Sequence, residues 1–199
     1  LDIGCGRGKI MGSLSSKLKL INKPIGVDIE KHIDADKRII FKKINAIKYL
    51  KANKKNFDLI LIKQTIHFFN NKEIKEILKY SYFNLNSKGI ILILSLDSKN
   101  NKIPTFSLMK KKLQQSFIRE GLIKKDILRF KKKKTLKKFN FKVSILKKKY
   151  FKMIKQRYIS SLLNLTDDQI SKGLKEIDLK YENKITFIDK LNCVIFKKR

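Results

Sequence analysis

Apolar residues in this chain come in two kinds of block. Short runs at 25–29 (I-G-V-D-I), 38–44 (R-I-I-F-K-K-I), 57–62 (F-D-L-I-L-I) and 90–96 (I-I-L-I-L-S-L) have strand length, and the stretches between them place single apolar residues at helical spacing. Ile10, Leu14 and Leu18 recur every fourth position and predict a helix with one apolar stripe, closing near Asn22 and Pro24. Only residues 30–37 separate the second and third runs, which leaves room for a helix of at most a couple of turns. Residues 47–53 predict a short helix. Asn70 followed three positions later by Glu73 forms a capping box, opening a helix carried by Ile74, Ile77, Leu78 and Tyr82 to Asn84. Asn86-Ser87-Lys88-Gly89 reads as a turn before the fifth strand. With residues 1–3 as the end of a first strand, the order is β-α-β-α-β-α-β-α-β. That order predicts an α/β fold with a doubly wound, parallel sheet and right-handed crossovers.

The second half continues the pattern in a more basic medium. Phe106, Met109, Leu113 and Phe117 mark an amphipathic helix that Gly121 is expected to end, its aromatic stripe reading as core. Residues 131–134 read as an exposed loop, 141–145 alternate like a sixth strand, and 191–196 form a last strand. Thr166 with Gln169 makes a second capping box, which turns Ile170, Leu174 and Ile177 inward. A chain of 199 residues with 42% hydrophobic content can bury one sizeable core, so a single domain over 1–199 is expected. No apolar run approaches the roughly 18 residues that would cross a bilayer. With no signal peptide in view, a cytoplasmic location is expected. Because the sequence starts with Leu inside a strand, a preceding segment is expected too.

Charge alters this picture most. The formal net charge is +32, from 49 basic and 17 acidic residues, yet only six of the basic residues are Arg. Residues 102–155 hold 20 Lys or Arg against Glu120 and Asp126 alone. A polyanionic partner such as RNA is one reading, because dense Lys binds phosphate backbones without sequence preference. Nucleotide bias that fills solvated positions with Lys is the other, and the shortage of Arg, the residue of bidentate phosphate and base contacts, favours it. The two cysteines, Cys5 and Cys193, show no C-x-x-C spacing, so neither a metal site nor a disulfide framework is expected. Cys5 reads as a small turn-filling residue rather than a nucleophile.

The chemistry concentrates at the start. Leu1-Asp2-Ile3-Gly4-Cys5-Gly6-Arg7-Gly8 reads as strand, glycine turn and helix start, a place where free N–H groups face a ligand. The dinucleotide spacing G-x-G-x-x-G is not met, since Lys9 takes the last glycine position and Gly8 comes one residue early. The spacing Asp2-x-Gly4-x-Gly6-x-Gly8 instead resembles the first motif of the class I S-adenosylmethionine-dependent methyltransferases. The resemblance bears its motifs over 1–96 and covers the remainder only in layout. It implies a Rossmann-like, mostly parallel seven-stranded sheet with an antiparallel last strand, a cofactor-binding core over 1–96, and substrate-capping segments within the basic 97–199.

It also implies roles. Gly4, Gly6 and Gly8 would hold the methionine end of S-adenosyl-L-methionine, with Asp2 reaching its ammonium through water. Asp28, at the end of the second strand, would accept from both ribose hydroxyls, unless it merely caps a following helix; Glu30 is its neighbouring candidate. Asn45-Ala46 matches the adenine-contacting turn, with Asn in place of the usual Asp. Gln64 and His67 follow the fourth strand, where His67 is either a general base or a packed ring. Arg157-Tyr158-Ile159-Ser160 resembles the capping segment of small-molecule methyltransferases. The expected function is therefore methyl transfer to a small molecule, with no metal, no membrane and no reading of oligomeric state. The alternatives are an RNA-directed methyltransferase, which lacks support from Lys63-Gln64-Thr65-Ile66 in place of an Asn-Pro-Pro-Tyr type motif, and a non-catalytic cofactor- or RNA-binding domain.

Overall fold

The structure is a computed structural model that describes residues 1–30, 32–97 and 99–199. Its seven strands, in chain order, are β1 (Asp2–Ile3), β2 (Ile25–Asp28), β3 (Ile40–Lys43), β4 (Phe57–Lys63), β5 (Leu85–Leu96), β6 (Lys134–Leu146) and β7 (Lys184–Lys197). The helices are α1 (Lys9–Lys17), α2 (Ala46–Ala52), α3 (Asn71–Phe83), α4 (Ser107–Arg129), α5 (Lys147–Lys155) and α6 (Asp167–Lys180). The sheet order is β3-β2-β1-β4-β5-β7-β6. Strands β1 to β5 run parallel, and the last strands enter antiparallel. The chain leaves β1 toward β2 and β3, then returns to place β4 on the other side of β1. This reversal makes a switch point at the carboxyl ends of β1 and β4, where α/β sheets bind ligands.

The chain forms two compact units: Leu1–Ser95 with Gly121–Lys137 and Asn192–Arg199, and Leu96–Glu120 with Lys138–Leu191. In the first, β4 and β5 are apolar on both sides, as strands covered on both faces must be. Ile60, Ile62, Ile91 and Ile93 enter a core with Leu50 of α2, Ile74, Ile77 and Leu78 of α3, and Ile123 and Ile127 of α4. Their alternates Leu59, Leu61, Leu92 and Leu94 join Met11, Leu14 and Ile39 in a smaller cluster, which is the period of two expected of a pleated strand. In the second unit Phe106, Met109, Tyr150, Ile154, Ile170, Leu174, Ile177 and Ile185 form a separate core. Gly173 permits it, since a Cβ there would lie 2.4 Å from the Phe106 ring.

Both capping boxes are present, Asn70 with Glu73 and Thr166 with Gln169. Five expectations are corrected. No helix joins β2 to β3 among the described residues; Asp34 and Asp36 organise that connection instead, through Arg7, Lys9 and Arg38. Helix α1 ends at Lys17 and packs through Met11 and Leu14, leaving Ile10 and Leu18 exposed. Residues 86–89 do not break the strand: β5 runs through them, with an irregularity opposite Phe57 and Leu59, Lys88 at φ 64°, and Gly89 close against the carbonyl oxygens of Asn86 and Phe57. Lys134 is not in the loop but opens β6, its ammonium donating to the carbonyl oxygens of Leu128 and Phe130 at the end of α4. Finally, α4 continues through Gly121, because Ile123 and Ile127 beyond it are buried and hold the helix on the core.

A Cβ at Gly121 would meet nothing within 4 Å. Gly121→Ala is expected to stabilise the chain by about 0.5–1 kcal/mol, raising the melting temperature by about 1–4 °C in a thermal scan.

Candidate functional site

The glycine turn follows β1, which is buried between β2 and β4. Gly4, Gly6 and Gly8 have φ of 67°, 51° and 67°, all in the left-handed region that side chains disfavour. The three are not equivalent. A Cβ at Gly4 would sit 2.1 Å from Thr65 Cγ2, and one at Gly8 would sit 2.2 Å from Ile39 Cδ1, so these two glycines are needed by the protein's own packing. A Cβ at Gly6 would meet nothing within 4 Å. Gly6 is the glycine whose bare backbone faces open space.

The loop is fixed from both neighbouring strands. The Gly4 and Cys5 amides donate to the Val27 carbonyl at 2.9 and 3.1 Å, and the Gly6 amide donates to Asp28 Oδ2 at 2.7 Å. The Glu30 amide donates to Asp28 Oδ1 at 3.2 Å. Asp28 thus closes an Asx-type turn but caps no helix, since none follows among the described residues. Each of its oxygens retains acceptor capacity beyond one amide. On the other side, the Thr65 hydroxyl donates toward the Gly4 carbonyl at 3.2 Å. Thr65 was invisible as a site residue in the sequence: no local motif marks it, and its importance comes from a packing partner 61 positions away.

Asp2 is buried as the first residue of β1. Burial lifts its carboxyl to about 7, against the pull of the Leu1 amine and Lys63 and with a further push from Asp28. Burial also pushes the Cys5 thiol up to about 12, helped by Asp2 and Asp28, which holds it as a thiol and agrees with its reading as a filler. Asn45 ends up in a different role from that expected: its Oδ1 accepts from the Ile47 and Lys48 amides at 2.9 and 3.2 Å as the N-cap of α2. With both lone pairs engaged, that oxygen is not available to an adenine amine. Ala46 is buried as the first residue of the same helix.

Gln64 stands just beyond β4 with a left-handed φ of 53°, its amide donating to the Leu94 carbonyl at 2.7 Å. Gln64 leads through Thr65 into a 3₁₀ turn, Ile66–Phe68, that carries His67, whose ring lies 4.2 Å from that of Phe68. Asp2 lies within β1 and Asp28 closes β2, while the three glycines, Asn45, Ala46, Gln64 and His67 follow the carboxyl ends of β1, β3 and β4. Arg157, at φ 51°, belongs to the second unit, where its guanidinium bonds Asp167 Oδ1 at 2.6 Å and the Leu165 carbonyl at 3.1 Å. Tyr158 lies there too, its hydroxyl 3.1 Å from that of Tyr150. Among the described residues no cluster of His, Cys, Asp or Glu could hold a metal ion.

Residues 1–93 match the methyltransferase domain family. That match and the fold both point to similarity with class I S-adenosylmethionine-dependent methyltransferases. No curated protein matches the chain by sequence. Several solved structures share its fold. A SAM-dependent methyltransferase from Archaeoglobus fulgidus is 20% identical, with 99% of this chain and 84% of that one covered and a TM-score of 0.55. The plantazolicin methyltransferase BpumL, solved with a monoazolic substrate analog and SAH, is 18% identical over 100% and 75% of the two chains, with a TM-score of 0.52. Phosphoethanolamine N-methyltransferase 2 of Haemonchus contortus is 16% identical, with a TM-score of 0.53 over 100% of this chain and 48% of its own.

Two predictions follow from this methyltransferase domain's loop. Gly4→Ala combines left-handed strain with overlap on Thr65 and should destabilise by about 3 kcal/mol. Gly6→Ala adds strain of about 1–2 kcal/mol without overlap, so in denaturant melts it should remain folded while losing cofactor affinity at least about tenfold by titration. The raised Asp2 group gives the second. Between about pH 4 and 7 the folded chain holds a proton that the unfolded chain has lost, so this group's contribution to stability falls as pH rises through that window and is flat above it. Asp2→Asn should flatten the pH dependence of the melting temperature there, stabilising the chain more at pH 8 than at pH 4.

Proposed function

We propose that this methyltransferase transfers its methyl group to a small-molecule acceptor, at the crevice beyond β1 to β4. The observation that carries the site is the pairing of the open backbone at Gly6 with the Asp28 carboxylate, locked to each other by the 2.7 Å hydrogen bond. When bound, the cofactor supplies a methyl already activated on a sulfonium, so the protein's task is mainly alignment and removal of a proton.

The chain's residues divide that task. Gly6 lets the methionine end lie on the main chain, with Gly4 and Gly8 holding the turn's shape. Asp28 offers one lone pair from each oxygen to a vicinal diol, and its two amide donors hold the carboxylate in place. Ile29, which follows it, is exposed and offers an apolar surface to a base. Ala46 presents main chain at the start of α2 on the adenine side, the Asn45 oxygen serving to hold that turn. Asp2 favours its ionised form when an ammonium approaches. Gln64 and His67 face the acceptor, with His67 accepting its proton where the acceptor atom carries one.

Two features support the small-molecule reading. Lys63-Gln64-Thr65-Ile66 stands where base-modifying enzymes carry an Asn-Pro-Pro-Tyr type motif, and the similar folds include a phosphoethanolamine and a plantazolicin methyltransferase. The second reading, an RNA acceptor, is favoured by the 20 basic residues within 102–155. Labelled methyl transferred to a defined nucleotide of purified RNA at physiological salt would establish it in place of the first.

Asp28→Ala removes charge-assisted hydrogen bonds of about 1.5–3 kcal/mol each and should weaken cofactor binding at least about tenfold by calorimetry. His67→Ala should lower turnover by about a hundredfold with cofactor affinity unchanged. Normal turnover per folded molecule, with a lowered melting temperature, would make His67 a packing residue.

A further inference from the structure

At the opposite end of β4 and β5 from the methyl-transfer crevice, the first unit carries a second concavity of about 430 Å³. The seven residues of β4 span the distance between the two ends, about 20 Å of strand. Its walls are aromatic: Tyr80, Tyr82 and Phe83 at the end of α3, and Phe130 just past α4. Its cations are Lys51 of α2, Lys79 of α3 and Lys132 of the loop before β6. Lys51 and Lys79 lie 5.2 and 5.5 Å from the Tyr80 ring centroid, and Lys132 lies 4.7 Å from that of Tyr82. Phe130 is wedged edge-on between Tyr82 and Phe196, at 6.1 and 5.4 Å, which fixes the floor. Phe83 is 76% exposed. The acidic group at this rim, Glu76, is engaged with Lys51 at 2.8 Å.

An exposed Phe costs solvation and a core does not need it there. Rings interleaved with ammonium groups suit a ligand that alternates flat faces with negative charge. We infer that this groove docks single-stranded nucleic acid, with bases stacking on Phe83 and the tyrosines and phosphates meeting Lys79 and Lys132. Stacking on aromatic side chains is worth about 1–3 kcal/mol per base and is indifferent to sequence, which matches a site built with Lys rather than Arg. The surrounding +32 charge supplies long-range attraction but cannot by itself select this place. In this groove rings and cations stand within contact of one another.

The test separates stacking from bulk charge. The chain contains no Trp, so Phe83→Trp installs a single reporter at an exposed position. Titration with oligouridylate at 150 mM salt is expected to quench it, whereas inorganic polyphosphate, which has charge without bases, is expected to bind without quenching. Phe83→Ala should weaken oligouridylate binding about fivefold or more and leave the salt dependence unchanged, because no charge is lost. Lys148→Gln, Lys149→Gln and Lys155→Gln together, on α5, should lower the salt dependence yet leave the quenching intact. Equal affinity of Phe83→Ala and wild type, or equal quenching by polyphosphate, would overturn the inference. Quenching by uridine monophosphate at the same concentrations as by oligouridylate would also overturn it, making the ligand a free nucleotide.

Discussion

The constraint on which the site depends is that the glycine turn leaves β1 between β2 and β4, its neighbours on either side. A turn so placed must be fixed by what stands beside it. The loop is therefore held laterally, by Gly4 and Cys5 donating to Val27, Gly6 donating to Asp28, and Thr65 closing on Gly4 from the β4 side. This explains why three left-handed glycines stand so close together. Two of them make room for neighbours that define the turn, and the third exposes main chain at the place those neighbours define. Preorganisation of this kind reduces the ordering cost of binding, because backbone and carboxylate are already in register before a ligand arrives.

The two faces of the first unit are covered unequally, and the connection between β2 and β3 shows how. Where a crossover helix would add apolar surface, this chain uses a short segment tied by charge. Asp34 receives Arg7 at 2.8 Å and Lys9 at 3.1 Å, and Asp36 receives Arg38 at 2.6 Å while sitting where a Cβ on Gly12 would intrude. Their hydrogen bonds hold both carboxyls below the usual carboxylate range, Asp36 at about 2. Exposed pairs contribute little each. Their value here is positional: the partners of Asp34 are Arg7 in the glycine turn and Lys9, the first residue of α1, so the segment is tied to that turn.

The parts of this architecture that the sequence shows plainly are those whose signals are local. Both capping boxes lie within four residues, the apolar runs at 57–62 and 90–96 fall within β4 and β5, and the Gly4, Gly6, Gly8 spacing marks a left-handed turn that Asp28 meets from the next strand. What was hidden depends on distant partners. Gly121 looks like a stop until Ile123 and Ile127 are seen to be buried, because tertiary burial outweighs a helix penalty of about 1 kcal/mol. Asn45 looks like an adenine acceptor until the first amides of α2 are seen to occupy its oxygen. Ile10 and Leu18 imitate a buried stripe, while Met11 marks the face that packs. Thr65 carries no motif at all.

Gln64 shows how these constraints meet at the crevice. It is neither Gly nor Asn, yet it sits at φ 53°, a conformation that costs an ordinary residue roughly 1–2 kcal/mol. Two bonds over-determine it: its own amide is held by the Leu94 carbonyl on β5, and the next residue is held by Gly4 across β1. A chain leaving β4 in the usual extended conformation would carry Thr65 away from Gly4 and remove the support of the glycine loop. The strain at Gln64 is thus coupled to the turn at Gly4, and the same kink redirects the backbone into the 3₁₀ turn that bears His67. One backbone distortion positions the base candidate and braces the glycine loop together, so that a relaxed substitution at either end would be felt at the other.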